Sequence, residues 1–144
     1  MPINRELLER KINLILEDLE NIRQLSPLPL ETYLADARNE ALAERYLERI
    51  IGRAIDINYH IATEALRLTP KDYAESFLFM EKAGVLSGSD ARAFARLAGL
   101  RNRISHEYNG IDAQLIHQAL GRVAQEMPSF LRAVRDFLLR MDCL

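Results

Sequence analysis

The chain has 144 residues, 49% of them hydrophobic, with six glycines, five prolines and one cysteine. That is enough apolar material for one core of ordinary domain size, too few turn-formers for a long disordered tract, and no basis for an internal disulfide framework. A formal net charge of −2 argues against a broad nonspecific nucleic-acid binder, which is normally basic overall.

No stretch of about 18 uninterrupted apolar residues suggests a membrane span. The opening Met1-Pro2-Ile3-Asn4-Arg5-Glu6 lacks a signal peptide's apolar block, so a cytoplasmic protein is expected. Lys11, Lys71 and Lys82 are the only lysines among 19 basic residues. Arginine suits bidentate phosphate contacts, although some genomes simply favour it.

In chain order the apolar spacing is helical nearly throughout. Ile3, Leu7, Leu8, Ile12, Ile15, Leu16, Leu19 and Ile22 mark one face of a helix from about Asn4 to Leu25, stopped by Ser26-Pro27-Leu28-Pro29. A short helical turn around Glu31–Ala35 leads into a long second helix ending near Leu68. Its wide stripe, from Leu42 through Leu47, Ile50, Ile51, Ile55 and Ile61 to Leu66, predicts a central helix or one that meets a second subunit.

Thr69 or Asp72 is expected to cap a third helix carrying Tyr73, Phe77, Leu78 and Met80 up to Gly84. Ser89 is expected to cap a fourth, with Phe94, Leu97 and Ala98 on its apolar face. The last helix starts at Asp112, and Pro128 should kink or break it. The aromatic residues Tyr33, Tyr46, Phe77, Phe94, Phe130 and Phe137 fall on apolar faces and are expected in the core. The fold class predicted is all-α: one domain over residues 1–144, a bundle of about five or six helices.

The chemistry concentrates in Arg101-Asn102-Arg103-Ile104-Ser105-His106-Glu107-Tyr108, followed by Asn109-Gly110. From Ser89 to Gly110 the cations Arg92, Arg96, Arg101 and Arg103 outnumber Asp90 and Glu107, which suits a focused anion site. Asn102 and His106 are four apart on one helical face, as are Arg101 and Ser105. Asn109-Gly110 can supply the left-handed residue that ends a helix, placing His106 in the last turn, where unpaired carbonyls favour a cation. A histidine so placed can act as general acid or base, and Arg101 can grip a phosphate and stabilise its developing charge. The same residues could equally be a capped and solvated helix end.

Arg101, four residues, His106, one residue and Tyr108 resemble the R-x4-H-x-Y signature of the HepT-like ribonuclease toxins of the HEPN superfamily. Glu44–Leu47 with Ala54–Ile61 resembles that family's long second helix, and Tyr73–Phe77 through Ala83–Leu86 its third helix and following turn. The resemblance covers nearly the whole chain. It implies a metal-independent endoribonuclease with no cofactor, a homodimer whose two motifs face each other across one cleft, and an RNA rather than DNA substrate.

By the same resemblance, Arg101 and His106 would be catalytic, with Asn102 supporting; the helical pairing adds Ser105 as a supporting residue, and the local positive charge makes Arg103 and Arg96 candidate RNA-phosphate contacts. The resemblance further implies a type VII-like toxin–antitoxin pair, in which an MNT nucleotidyltransferase antitoxin neutralises the toxin by adenylylating the motif tyrosine, here Tyr108. A non-catalytic helical partner that binds a nucleotidyltransferase or nucleotide is the alternative.

The remaining candidates are weaker. Asp56 and His60, four apart, could orient each other or reach the cleft, or could be a polar pair at an interface edge. His117 reads as a partly exposed surface residue and Cys143 as a frayed terminal one. Three scattered histidines without HExxH or paired-cysteine spacing do not suggest a zinc site.

Overall fold

The structure, a computed structural model, describes residues 3–107 and 110–142; Tyr108 and Cys143 lie outside the described residues. Among these are six α-helices and no strand: α1 (Arg5–Ile22), α2 (Leu30–Leu34), α3 (Ala37–Ile61), α4 (Tyr73–Lys82), α5 (Gly88–His106) and α6 (Ala113–Asp142). A π-helical turn, Ala62–Leu66, prolongs α3 and ends at Arg67, whose φ of 58° turns the chain out of the helix.

Short polar side chains start the helices by accepting otherwise orphaned backbone N–H groups. Asn4 accepts from Leu7 N, Asp36 from Arg38 N, and Asp72 from Glu75 N. Asp72, not Thr69, is therefore the cap of α4. The cap of α5 is Ser87, which accepts from Asp90 N at 3.1 Å, rather than the expected Ser89. Gly84, at φ +79°, closes α4: Val85 N and Leu86 N both return to Met80 O.

The long final helix continues through Pro128 instead of breaking. Proline's fixed φ is itself compatible with a helix, and packing of Val123, Met127, Phe130, Leu131 and Val134 into the core on both sides holds the helix through the lost hydrogen bond.

The central position belongs to α3, which contacts α1, α2, α4, α5 and α6. Its direction relative to its neighbours follows from paired residues. Lys11 meets Asp56 while Asp18 meets Arg49 and Arg53, so α1 runs antiparallel to α3. Ser105 meets Glu48, whereas Arg101 borders Arg53 and Asp56, so α5 is antiparallel to it as well.

The core holds Phe77, Phe94 and Phe130 in mutual contact, with ring centres 5.5 to 6.4 Å apart. Tyr33 and Phe137 are buried as expected, and Tyr46 is only partly so. Along α5 the buried residues Ala91, Phe94, Leu97 and Ala98 form a narrow stripe, and the same three-to-four spacing carries on to Arg101 and Ser105. The polar end of α5 therefore reaches the α3 side as a continuation of the core face.

Candidate active site

Arg101 is half-buried where α3, α4 and α5 converge. Its guanidinium carbon lies 5.3 Å from the centre of the Tyr73 ring, a cation–π contact that steadies the side chain. Its Nε is buried and has no hydrogen-bond partner among the described residues. The side chain borders an open groove of about 260 Å³, lined also by Lys11, Glu48, Arg49, Gly52, Arg53 and Asp56.

The floor of this groove is anchored by Asp18, a fully buried carboxylate on α1. Arg53 Nη1 donates to its Oδ2 at 2.7 Å, and Arg49 Nε lies 3.1 Å from the same oxygen. The latter contact is an ion pair too bent to be a hydrogen bond, since Arg49 Nε is also unpartnered. At the upper end, Ser105 Oγ donates to Glu48 Oε2 at 3.3 Å, and Arg45 Nη1 contacts Glu48 Oε1 at 3.1 Å. Ser105 thus fastens the last turn of α5 to α3.

His106 sits in that last turn, exposed and without a hydrogen bond among the described residues. Asn102 is exposed on the same side. Five residues of helix turn through about 140° when folded back onto one circle, so Arg101 and His106 point different ways. No hydrogen bond joins them within this chain among the described residues. His106 is in the last turn as expected, but the residue that ends α5 is Glu107, at φ −90° and ψ 88°, and the positive-φ Gly110 (+90°) comes three residues later. The proposed modification site, Tyr108, lies outside the described residues.

Arg96 and Arg103 face away from the groove that Arg101 borders. They line a second groove, of about 330 Å³, between α5 and α6, together with Arg122 and the apolar Leu97, Leu100, Leu115 and Ala119. Arg103 is held by Glu107, Nε to Oε1 at 3.0 Å.

Asp56 and His60 do not pair with each other in the observed bonds: Asp56 binds Lys11 at 3.0 Å, and His60 Nε2 accepts from Asn4 N at 2.8 Å. They tie the start of α1 to α3. His117 also proves structural, its Nε2 lying 2.7 Å from Leu28 O and its ring 4.9 Å from that of Tyr33. One turn from Glu48, burial and then a hydrogen bond to Glu40 push the Glu44 carboxyl up to about 7.

The sequence reading missed Arg49, Arg53 and Asp18. Two signals were available: arginines four apart on the predicted central helix, and a charge between Ile15, Leu19 and Ile22 on an otherwise apolar face. Among the described residues no three His, Cys, Asp or Glu side chains are placed to hold a metal ion. No helix among them is long and apolar enough to cross a membrane.

Fold and site together define a small helical protein with a cation-lined groove and an exposed histidine at one helix end. The family model described as "Ribonuclease HepT-like" matches residues 15–134, and the chain belongs to that family. A curated relative, the tRNA nuclease HepT of Aphanizomenon flos-aquae (strain 2012/KM1/D3), is 29% identical over 136 residues, covering 94% of this chain and 92% of the relative.

Solved structures share the fold at low identity. The tri-AMPylated Shewanella oneidensis HEPN toxin, in complex with MNT antitoxin, superposes with a TM-score of 0.82 at 17% identity, covering 92% of this chain and 98% of that one. A tyrosine-to-alanine mutant of the MntA–HpeT toxin–antitoxin gives 0.81 at 17% identity, covering 90% and 98%.

Proposed function

We propose that this protein is a metal-independent endoribonuclease, the toxin of a type VII-like HepT/MNT toxin–antitoxin pair acting in the cytoplasm. Residues 1–144 would work as one HEPN-like domain. The observation that carries the reading is the split disposition of the motif: Arg101 is half-buried in a cationic groove while His106 stands exposed at the helix end. One chain therefore offers half a site, and a homodimer bringing two α5 ends together would complete it.

In such a cleft one His106 imidazole takes the proton of an RNA 2′-hydroxyl. The freed oxygen attacks the adjacent phosphorus, and the 5′-oxygen leaves with a proton from the other imidazolium. Arg101 stabilises the added charge on the phosphoryl oxygens. Because the nucleophile is the 2′-hydroxyl, DNA cannot enter this reaction. Asn102 orients the scissile phosphate, Ser105 holds the helix end against Glu48, and Arg96 and Arg103 make outlying RNA-phosphate contacts.

The tRNA nuclease activity in the name of the curated relative, and the AMPylation and MNT partner of the Shewanella toxin, support the same reading. By that analogy a cognate MNT nucleotidyltransferase adenylylates Tyr108, placing a bulky anion beside the catalytic groups. Purified protein incubated with transfer RNA in EDTA should yield discrete fragments ending in 2′,3′-cyclic phosphate. Undiminished cutting by His106→Ala would remove the catalytic assignment. Co-expression with the nucleotidyltransferase should add adenylyl mass to the peptide containing Tyr108; an unmodified peptide would end that part of the proposal.

A further inference from the structure

We propose that Arg49 and Arg53 of α3 form, together with Arg101, a binding track for the phosphodiester backbone of single-stranded RNA. The inference rests on the ribonuclease reading and extends it to residues outside the R-x4-H-x-Y motif.

The charge balance of the groove points to an anionic ligand. Lys11 is matched by Asp56 at 3.0 Å, and Glu48 is engaged by Arg45 and Ser105. Asp18 is one carboxylate shared by two guanidinium groups. One cation of the Arg49–Arg53 pair and the whole of Arg101 are left without a counter-charge among the described residues. Each guanidinium carries five N–H donors in a planar fork and accepts nothing; beyond Asp18, the hydrogen bond found for the pair is a long one from Arg53 Nη1 to Leu14 O at 3.5 Å, so donors remain for an anionic ligand.

The arrangement is also aimed. Burying a carboxylate is costly, and apolar side chains in place of Asp18 and both its arginine partners would serve stability at least as well. What Asp18 adds is direction: it holds two long, otherwise mobile side chains against the groove floor while leaving them 34% and 20% exposed. Arg49 and Arg53 are one helical turn apart, about 6 Å along α3. Two forks so spaced can hold neighbouring phosphates of an extended strand, with Arg101 at the edge nearest the catalytic helix end.

The test uses the full-length chain carrying His106→Ala, so that RNA is bound and not cut. A fluorescent single-stranded 2′-O-methyl oligonucleotide is titrated by anisotropy across a range of salt. In this background Arg49→Gln and Arg53→Gln should each weaken binding about tenfold. The double variant should lower the slope of log affinity against log salt by about 1.4, the share of two phosphate contacts on a single strand. Arg132→Gln, an exposed position on α6, should change neither, and circular dichroism with urea midpoints establishes that each variant is folded.

A folded double variant with unchanged affinity and slope would overturn the proposal. If, with His106 restored, the wild type cleaves RNA and the double variant cleaves it with the same KM, the track is wrong while the ribonuclease reading stands. Intact RNA affinity combined with loss of the complex with a co-expressed nucleotidyltransferase would also overturn it, assigning the groove to a protein partner. A wild type that neither binds nor cuts RNA would remove both readings together.

Discussion

Two arginine-lined grooves flank α5, and they differ in what holds the arginines. On the α5–α6 side, Arg96, Arg103 and Arg122 rim an apolar floor in the larger of the two, about 330 Å³. All three are exposed, and the charge of Arg103 is already met by Glu107 in a surface i,i+4 pair of the kind worth a few tenths of a kcal/mol. On the α3–α5 side, Arg49 and Arg53 are fixed from below by buried Asp18, and Arg101 is braced on Tyr73. Each groove has three arginines, and volume favours the first. Preorganisation favours the second, and it is preorganised charge that stabilises a transition state.

The comparison is most easily broken at Arg101. Arg101→Ala should lower the cleavage rate by about 10² to 10³ without unfolding the chain. Single-turnover cleavage of one transfer RNA measures it, and a loss of less than about threefold would put the reacting phosphate elsewhere.

Next in size is the anchor. Asp18→Ala leaves two guanidinium groups over a buried void, and should cost roughly 2–4 kcal/mol in urea unfolding, the lower end applying because both arginines reach solvent. Arg122→Gln, on the other groove, should change stability by less than about 0.5 kcal/mol. Equal effects would mean that Asp18 is no anchor.

Smaller again is a pH effect confined to the α3 side. Burial and Glu40 raise Glu44 from an ordinary 4.5 to about 7, so the folded state holds this proton more tightly than the unfolded one. Its contribution to stability is then complete below about 4.5 and is lost as pH rises through about 7. Glu44→Gln should remove that decline, flattening urea midpoints between pH 5 and 8 by about 1 kcal/mol after allowance for solvent screening. A wild type and variant with parallel pH profiles would contradict it. Smallest of all, Arg96→Gln should weaken RNA binding only about two- to threefold, against about tenfold for Arg53→Gln.

What was legible in the sequence was whatever depends on local spacing. The apolar periods of α1, α3 and α6 gave the helical class, and the width of the α3 stripe pointed to a central place or a second-subunit contact, because a face wider than one neighbour can cover needs several. The octapeptide from Arg101 to Tyr108 was visible because its residues are contiguous and match a family signature.

Other features were hidden because they depend on competition or on distance. Ser87 and Ser89 are chemically equal caps, and only the path of the chain chose between them. Pro128 breaks an isolated helix, but flanking core residues on α6 outweigh the loss. Asp18 meets Arg49 and Arg53 across more than thirty residues of sequence, so their alliance exists only once α1 lies antiparallel to α3. Arg96 and Arg103 show the converse. Being near Arg101 in sequence, they were grouped with it, while the helix turns them to another face.

The central claim is that the exposed His106 and half-buried Arg101 of one chain make half of a shared site. Subunit mixing tests it most directly. A fixed amount of wild-type protein is exchanged with a growing excess of an Arg101→Ala/His106→Ala double variant, and cleavage is measured per wild-type protomer. A shared cleft predicts that this specific activity falls steeply as pairs of wild-type chains disappear. Specific activity that stays constant through a large excess of the double variant would show that each chain carries a complete site, and would contradict the account.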